Sequence, residues 1–317
     1  MTENDQLASC KVIVLGAGGL GCEILKNLAM TGMPVIHVVD MDTIELTNLN
    51  RQLLFREDDV GKPKALVAAA YINSLELPSV LGNNRPVKLI PHVCDLTSLP
   101  PDFWSQFTAV ISGLDAIEPR RHINSLLVNL TMSTNFEKCI PFIDGGSEGL
   151  SGHCKTIIPG INACYECSIS TLAPPGQTYP LCTIANNPRL PEHIVVYILN
   201  VELPLRSAAP NCPLDDPQTI RWLVDRCRSR AATFGMSPDI FDEKYICGVA
   251  KNIVPSVVST NAIIAASCCT ELLKLLWDLE DDPENMNNFL LYNGQDGCFT
   301  YSFAYHKSIQ CNVCRPQ

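Results

Sequence analysis

The sequence is short of positive charge. Its 317 residues carry 23 lysines and arginines against 33 aspartates and glutamates, a formal net charge of −10. A nucleic-acid binder needs the opposite balance to neutralise phosphates, so no nucleic-acid partner is expected. An acidic surface suits the docking of basic partners, although solubility alone accounts for it. An apolar leader is also lacking: Met1–Ser9 is mostly polar and contains no apolar run, and no secretory signal is expected. Nor is there an uninterrupted hydrophobic run of membrane-spanning length. The most apolar long stretch, Ala262–Trp277, is broken by Glu271 and Lys274 and reads as a buried helix. Internal repeats and low-complexity segments are missing too. These absences leave a globular cytoplasmic or nuclear protein with no membrane partner as the expectation. Its 46% apolar and 18% charged residues are ordinary for that class.

One residue type is plentiful. Sixteen cysteines without a secretory route should be mostly reduced thiols. Some are then available as metal ligands, and one as a nucleophile.

Along the chain, Lys11–Leu15 is a short apolar run and reads as a buried strand. The turn Gly16-Ala17-Gly18-Gly19-Leu20-Gly21 follows. Next comes a helix over Cys22–Thr31 with Gly32 as its C-terminal cap. Val35–Val39 is a second strand, ending at Asp40. Further strands are expected at Val87–His92, Ala109–Ser112 and Pro141–Asp144, the last closed by Gly145-Gly146. Helices are expected at Lys64–Ser74 and Arg120–Leu130. This alternation predicts an α/β, doubly wound, Rossmann-like sheet with its ligand site at the carboxyl ends of the strands. Near Ser168 the texture changes. Residues 171–217 are rich in proline and show no strong period, and Pro217–Thr233 reads as a helix. A long helix over Val254–Trp277 and a strand pair, Phe289–Asn293 and Cys298–Phe303, complete the chain. The expected organisation is a nucleotide-binding domain over 1–167 and 249–317, with a mainly helical insertion at 168–248.

A glycine turn between a strand and a helix presents backbone N–H groups and a positive helix end to phosphate. Asp40 is placed to bond ribose hydroxyls. Taken alone, this unit serves NAD, FAD or ATP equally well, or serves only tight packing. The residues that follow favour a triphosphate: Asp42, then Asn48, Arg51 and Gln52, then Lys62 and Lys64. Two cations close behind a ribose carboxylate suit the charge of the β and γ phosphates. Asp115, just past the fourth strand, is placed to hold Mg2+ beside them. Each residue alone reads equally well as a solvated charge.

Together, Gly16–Gly21, Asp40-Met41-Asp42, Asn48 through Gln52, Lys64 and Gly113-Leu114-Asp115 resemble the adenylation domain of the ubiquitin-like-modifier-activating enzymes. Bacterial sulfur-carrier adenylating enzymes share the set. The resemblance implies MgATP-dependent adenylation of a modifier's C-terminal glycine. By that resemblance Gly16, Gly18, Gly19 and Gly21 form the phosphate loop, Asp40 holds ribose, and Asp42 and Gln52 line the nucleotide. Asn48, Arg51 and Lys64 contact phosphates, and Asp115 serves the metal.

Cys164-Tyr-Glu-Cys167 and Cys311-Asn-Val-Cys314 are two CxxC pairs far apart in sequence. Four thiolates in two such pairs satisfy tetrahedral Zn2+ and leave no open position, so the site would be structural. It would also tie the last residues onto the middle of the chain. A redox pair or unligated buried thiols are the alternatives. The family resemblance implies the zinc.

Twelve thiols remain, and composition does not choose among them. A nucleophile belongs in irregular, accessible chain near a cation. Cys182, in the proline-rich stretch with Arg189 nearby, meets that description. The segment from Cys164 to His193, including Pro180-Leu-Cys182-Thr-Ile and Pro188-Arg-Leu-Pro-Glu-His193, resembles the heterodimeric neddylation branch of the family. The resemblance assigns Cys182 the thioester and, with Arg51, Lys64 and Asp115, completes the expected catalytic set. It implies a second Rossmann-like subunit, a ubiquitin-like modifier and a conjugating enzyme as partners. The branch that activates SUMO has a similar cysteine segment. Asp215-Asp-Pro217 with Ile220-Arg-Trp222, and Pro255–Ala265, favour the neddylation branch. Longer members continue into a ubiquitin-like domain that recruits the conjugating enzyme. Here the last residue is three beyond Cys314, so the resemblance supports adenylation and capture further than transfer. A nicotinamide- or flavin-dependent oxidoreductase and a non-catalytic scaffold half are the competing readings. His153 and Cys154 receive no role.

Overall fold

Burial on both faces makes Lys11–Leu15 (β1) a run of apolar residues without alternation. The computed structural model describes residues 9–75, 87–171, 185–186, 188–206, 216–250, 256–279 and 282–315. The remaining strands are β2 (Val35–Val39), β3 (Lys88–His92), β4 (Ala109–Ser112), β5 (Phe142–Glu148), β6 (Ser151–Ile157), β7 (Phe289–Asn293) and β8 (Phe299–Phe303). The longer helices are α1 (Gly19–Thr31), α2 (Lys64–Ser74), α3 (Ile117–Ser133), α4 (Pro191–Tyr197), α5 (Pro217–Thr233), α6 (Glu243–Ala250) and α7 (Val258–Leu276). Two compact units divide the chain, Met1–Leu172 with Ser256–Gln317, and Ala173–Pro255.

The first unit holds one sheet in the order β3-β2-β1-β4-β5-β6-β7-β8. β3 through β5 run parallel, with Leu15 level with both Val39 and Ser112, and Ser112 level with Asp144. β5 to β8 are antiparallel. The order reverses between β1 and β4, where a doubly wound sheet opens a crevice at its carboxyl edge. Successive residues of β1 feed opposite faces. Val12 and Val14 pack with α1, α2 and α7, while Ile13 and Leu15 pack with Trp104, Ile123, Leu127 and Phe142. Each such side chain, fully buried, stabilises by about 1.5–3 kcal/mol.

Several boundaries differ from the sequence-based expectation. α1 starts at Gly19 rather than Cys22, because Cys22 N–H already reaches Gly18 O at 2.9 Å. Gly32, at φ +86°, ends the helix as expected, its N–H on Ala29 O. α3 begins three residues early and runs to Ser133, and α7 begins at Val258. Gly145 and Gly146 do not close β5 but lie within it, and β6 was not expected at all. Tertiary packing explains both. A Cβ on Gly145 would stand 2.9 Å from Cys268 Sγ, and one on Gly152 would stand 2.5 Å from Ile264. The glycines that read as a turn are strand positions over which α7 lies closely.

The second unit has its own core, in which Ile194, Val195 and Ile198 meet Leu223, Cys227, Phe241 and Ile246. Asp216 caps α5 by accepting from Thr219 N and Oγ1, both at 2.9 Å, and Pro217 opens the helix. No helix among the described residues is long and apolar enough to cross a membrane.

Candidate nucleotide site and metal centre

β1 ends in a turn that bare backbone makes possible. Gly16, at φ +90°, donates to Val39 O at 2.9 Å, and Gly113 N–H reaches Leu15 O at 2.9 Å. A Cβ on Gly21 would lie 2.0 Å from Gly16 O, and one on Gly113 would lie 3.0 Å from Gly21 N. The turn, the first coil of α1 and the β4–α3 connection therefore stack backbone on backbone. Gly18 differs: a Cβ there meets nothing within 4 Å. It caps α1, whose first N–H groups have no partner within the helix. This is the geometry of an anion site at a helix N-terminus. Gly19 is confined by Asn261, whose Nδ2 would stand 2.6 Å from a Cβ, and by the Arg51 stem at 3.5 Å.

Asp40, at the end of β2, accepts from Ala17 N–H at 2.6 Å and Asp42 N–H at 2.8 Å. Burial pushes its pKa up, while those two amides and Lys64 pull it back. A carboxylate has further lone pairs, so ribose hydroxyls remain acceptable donors to it. Lys64 Nζ pairs with Asp42 Oδ2 at 2.9 Å and is 8% exposed, which ties it to the chain just past Asp40, while the Arg51 stem lies beside Gly19. Arg51 holds Thr47 O at 3.0 Å and Asn50 Oδ1 at 3.1 Å. Asn48 is buried and its Oδ1 accepts Glu45 N–H at 3.0 Å, so its amide is oriented by a local turn. Buried Gln52 Oε1 accepts no hydrogen bond among the described residues. Asp115 is exposed, two residues past Gly113.

Beneath this edge lies a buried charge cluster that sequence reasoning missed. Asp144 is fully buried, with Arg120 Nε at 3.2 Å and His153 Nε2 at 3.4 Å. Burial alone would raise its pKa, but Arg120, then His153 and Lys155, hold it below the ordinary carboxylate range. Lys155 Nζ donates to Ser168 Oγ at 3.0 Å and lies 4.9 Å from the Tyr165 ring centre and 5.0 Å from that of Phe289. Its pKa is pushed down to about 8, chiefly by burial. Helical spacing is the signal that could have revealed Arg120, which shares the buried face of α3 with Ile123, Leu127 and Thr131.

Cys164, Cys167, Cys311 and Cys314 are buried together, their sulfurs all within 4.8 Å of one another. Cys164 Sγ lies 3.6 Å from Cys311 Sγ, and Cys167 Sγ lies 3.3 Å from Cys314 Sγ. Tetrahedral zinc with bonds of about 2.3 Å sets sulfurs roughly 3.8 Å apart, so the cluster fits that ion. Ser308 N–H reaches Cys167 Sγ at 3.4 Å and Val313 N–H reaches Cys311 Sγ at 3.4 Å, bonds that favour thiolate.

Cys182 lies outside the described residues. Among the other thiols, burial pushes Cys22, Cys227 and Cys269 up to about 12. Those three are poor nucleophiles at neutral pH.

The sequence pattern of the ThiF family matches residues 1–313. A NEDD8-activating enzyme E1 catalytic subunit of Saccharomyces cerevisiae (strain ATCC 204508 / S288c) is 52% identical over 306 residues, 96% of this chain and 97% of that protein. The protein of the same name in Dictyostelium discoideum is 45% identical, over 96% of this chain and 68% of its own length. A SUMO-activating enzyme subunit 2 of Dictyostelium discoideum is 38% identical but covers 61% of this chain and 27% of that protein. Among solved structures, the Microcin C7 biosynthetic enzyme MccB in complex with N-formylated MccA superposes with a TM-score of 0.60 at 21% identity. It covers 98% of this chain and 69% of MccB, a likeness of fold.

Proposed function

The chain belongs to the ThiF family and within it to the NEDD8-activating enzyme E1 catalytic subunits, and on that premise we propose a two-step activation of a ubiquitin-like modifier on this chain. It is a modifier-activating enzyme of the neddylation type, and the oxidoreductase and scaffold readings fall away with that membership. The observation that carries the chemistry is the turn at Gly18. The space beside Gly18 at the start of α1 is open, with Arg51 beside Gly19, and Lys64 and Asp40 both bonded to Asp42.

In the first step MgATP occupies this turn, with its phosphates on the α1 amides and its ribose on Asp40. The modifier's C-terminal carboxylate attacks the α-phosphate, a phosphorus–oxygen bond to the leaving group breaks, and pyrophosphate departs. Arg51 and Lys64 offset the charge that builds on the transferring phosphate, where fixed cations act most strongly. Asn48 contacts the phosphates beside them, and Gln52 lines the nucleotide. Asp115 would hold Mg2+, which would add to the neutralisation of the phosphates. In the second step the Cys182 thiolate attacks the adenylate carbonyl. A carbon–sulfur bond forms, the carbon–oxygen bond to phosphate breaks, and AMP leaves. The four cysteines would hold a zinc ion in a structural role, their four thiolates completing its coordination. A second Rossmann-like subunit completes the enzyme, and a conjugating enzyme receives the thioester.

The test uses the full chain with the candidate partner subunit and a panel of ubiquitin-like proteins. Cys182→Ala should keep ATP–pyrophosphate exchange and lose the reductant-sensitive adduct. An undiminished adduct in that variant would move the nucleophile elsewhere. Absence of exchange with every modifier would reject the adenylation.

A further inference from the structure

Arg120 is 6% exposed, on the inner face of α3. Its Nη2 donates to Leu114 O and, at 3.0 Å, to Gly145 O, while Nε stands 3.2 Å from Asp144 Oδ1. All three acceptors sit where β4 and β5 reach the open edge of the sheet: Leu114 two residues past Ser112, and Asp144 level with Ser112. A buried guanidinium carries a desolvation cost, and core filling alone is served as well or better by an apolar side chain. Its planar fork, however, donates through Nη2 to two carbonyls while Nε lies in ion-pair range of a carboxylate, which no apolar residue does.

The turn it grips is constrained from the other side as well. Gly113 abuts the glycine turn, with its carbonyl oxygen 3.1 Å from where a Cβ of Gly16 would stand. One residue on, Leu114 O is held by Arg120; one further, Asp115 opens to solvent. Gly113 stacking fixes one end of this short turn and Arg120 fixes its middle.

We infer that Arg120 is a positioning residue that holds Gly113-Leu114-Asp115 against the phosphate turn, so that the Asp115 carboxylate faces the divalent cation accompanying the nucleotide. Asp144 pairs with both Arg120 and His153, which keeps the guanidinium in place. The inference rests on the reading of Asp115 given above.

Arg120→Lys retains charge but loses the fork. In the full chain with its partner subunit, calorimetric ATP binding is measured across a Mg2+ titration, with amide hydrogen exchange over residues 113–116. The variant should need about tenfold more Mg2+ for half-maximal ATP binding, the usual size of a loss one layer behind a metal ligand. Exchange over 113–116 should quicken by about tenfold, while ATP affinity without Mg2+ stays within about threefold. Asp144→Asn, which keeps shape and frees Arg120, should shift both readouts in the same direction. An unchanged Mg2+ midpoint in a folded Arg120→Lys protein overturns the inference, as does failure of both variants to fold, since the pair would then serve the whole core. If the unaltered enzyme shows exchange chemistry without any Mg2+ dependence of ATP binding, the reading of Asp115 itself is wrong.

Discussion

Gly18→Ala and Gly21→Ala make a matched pair three residues apart, and the structure assigns them opposite outcomes. At Gly21 the new Cβ would lie 2.0 Å from the Gly16 carbonyl oxygen, and backbone on both sides prevents a side-chain adjustment. Either α1 or the turn after β1 must shift. Overpacking of this kind costs about 3 kcal/mol or more, which at roughly 2–4 °C per kcal/mol lowers the melting temperature by about 10 °C. At Gly18 the methyl group meets nothing of the protein within 4 Å, and φ of −74° is open to alanine. The fold loses only the helix-capping preference for glycine, under about 1 kcal/mol.

What Gly18→Ala should lose is the ligand. A methyl group at the mouth of the α1 amides stands where a phosphate oxygen must approach. Each charge-assisted bond from such an amide contributes about 1.5–3 kcal/mol, so disturbing one or two weakens MgATP binding by about 10- to 100-fold. Calorimetric titration with MgATP and a melting scan on the same preparations separate the two effects. The expected pattern is a stable Gly18→Ala protein that binds poorly and an unstable Gly21→Ala protein. MgATP affinity within threefold of the unaltered chain at Gly18→Ala would refute the placement of the phosphates, whatever Gly21→Ala does.

Two further outcomes follow from the buried groups. Cys314→Ser should abolish stoichiometric zinc and lower the melting temperature by about 5 °C or more, because the remaining thiolates lose their neutralising ion; full zinc content by metal analysis would count against the four-sulfur site. Lys155, pushed down to about 8 by burial, is neutral in the folded chain and protonated in the unfolded chain between that value and about 10.4. The unfolded state binds more protons there, so stability should rise with pH through that window. Lys155→Met, which carries no proton in either state, should therefore gain on the unaltered chain at pH 7 by on the order of 2 kcal/mol, a margin that narrows toward pH 10. A margin independent of pH would show that Asp144 and the Tyr165 and Phe289 rings keep the ammonium charged.

The parallel half of the sheet could be read from sequence because each of its cues is local. β1 and β2 are apolar runs, Gly16 needs positive φ, and Gly32 caps α1 in the left-handed region. The cluster proposed for the nucleotide has the same local character: Asp40, Arg51 and Lys64 follow the turn in sequence. The two CxxC pairs repeat a spacing that metal chemistry recognises even across most of the chain. β6 was illegible because three of its seven residues are Ser151, Gly152 and His153, whose strand conformation is set by β5, β7 and the approach of α7.

Arg120 shows where local reading stops. In sequence it is one of two adjacent arginines in a helix, and only its helical spacing with Ile123, Leu127 and Thr131 separates it from its neighbour. Arg121 turns outward to Glu166 at 2.8 Å and Glu118 at 3.2 Å, an exposed arrangement contributing little to stability. Arg120 turns inward to Asp144, a residue that pattern reading places at the end of a strand as an ordinary polar boundary. Only the register of β5 beside β4 brings that carboxylate level with Ser112 and under the turn that carries Asp115. Residues that would touch the nucleotide were thus visible as a motif, whereas those that hold the motif in shape became visible only through strand order.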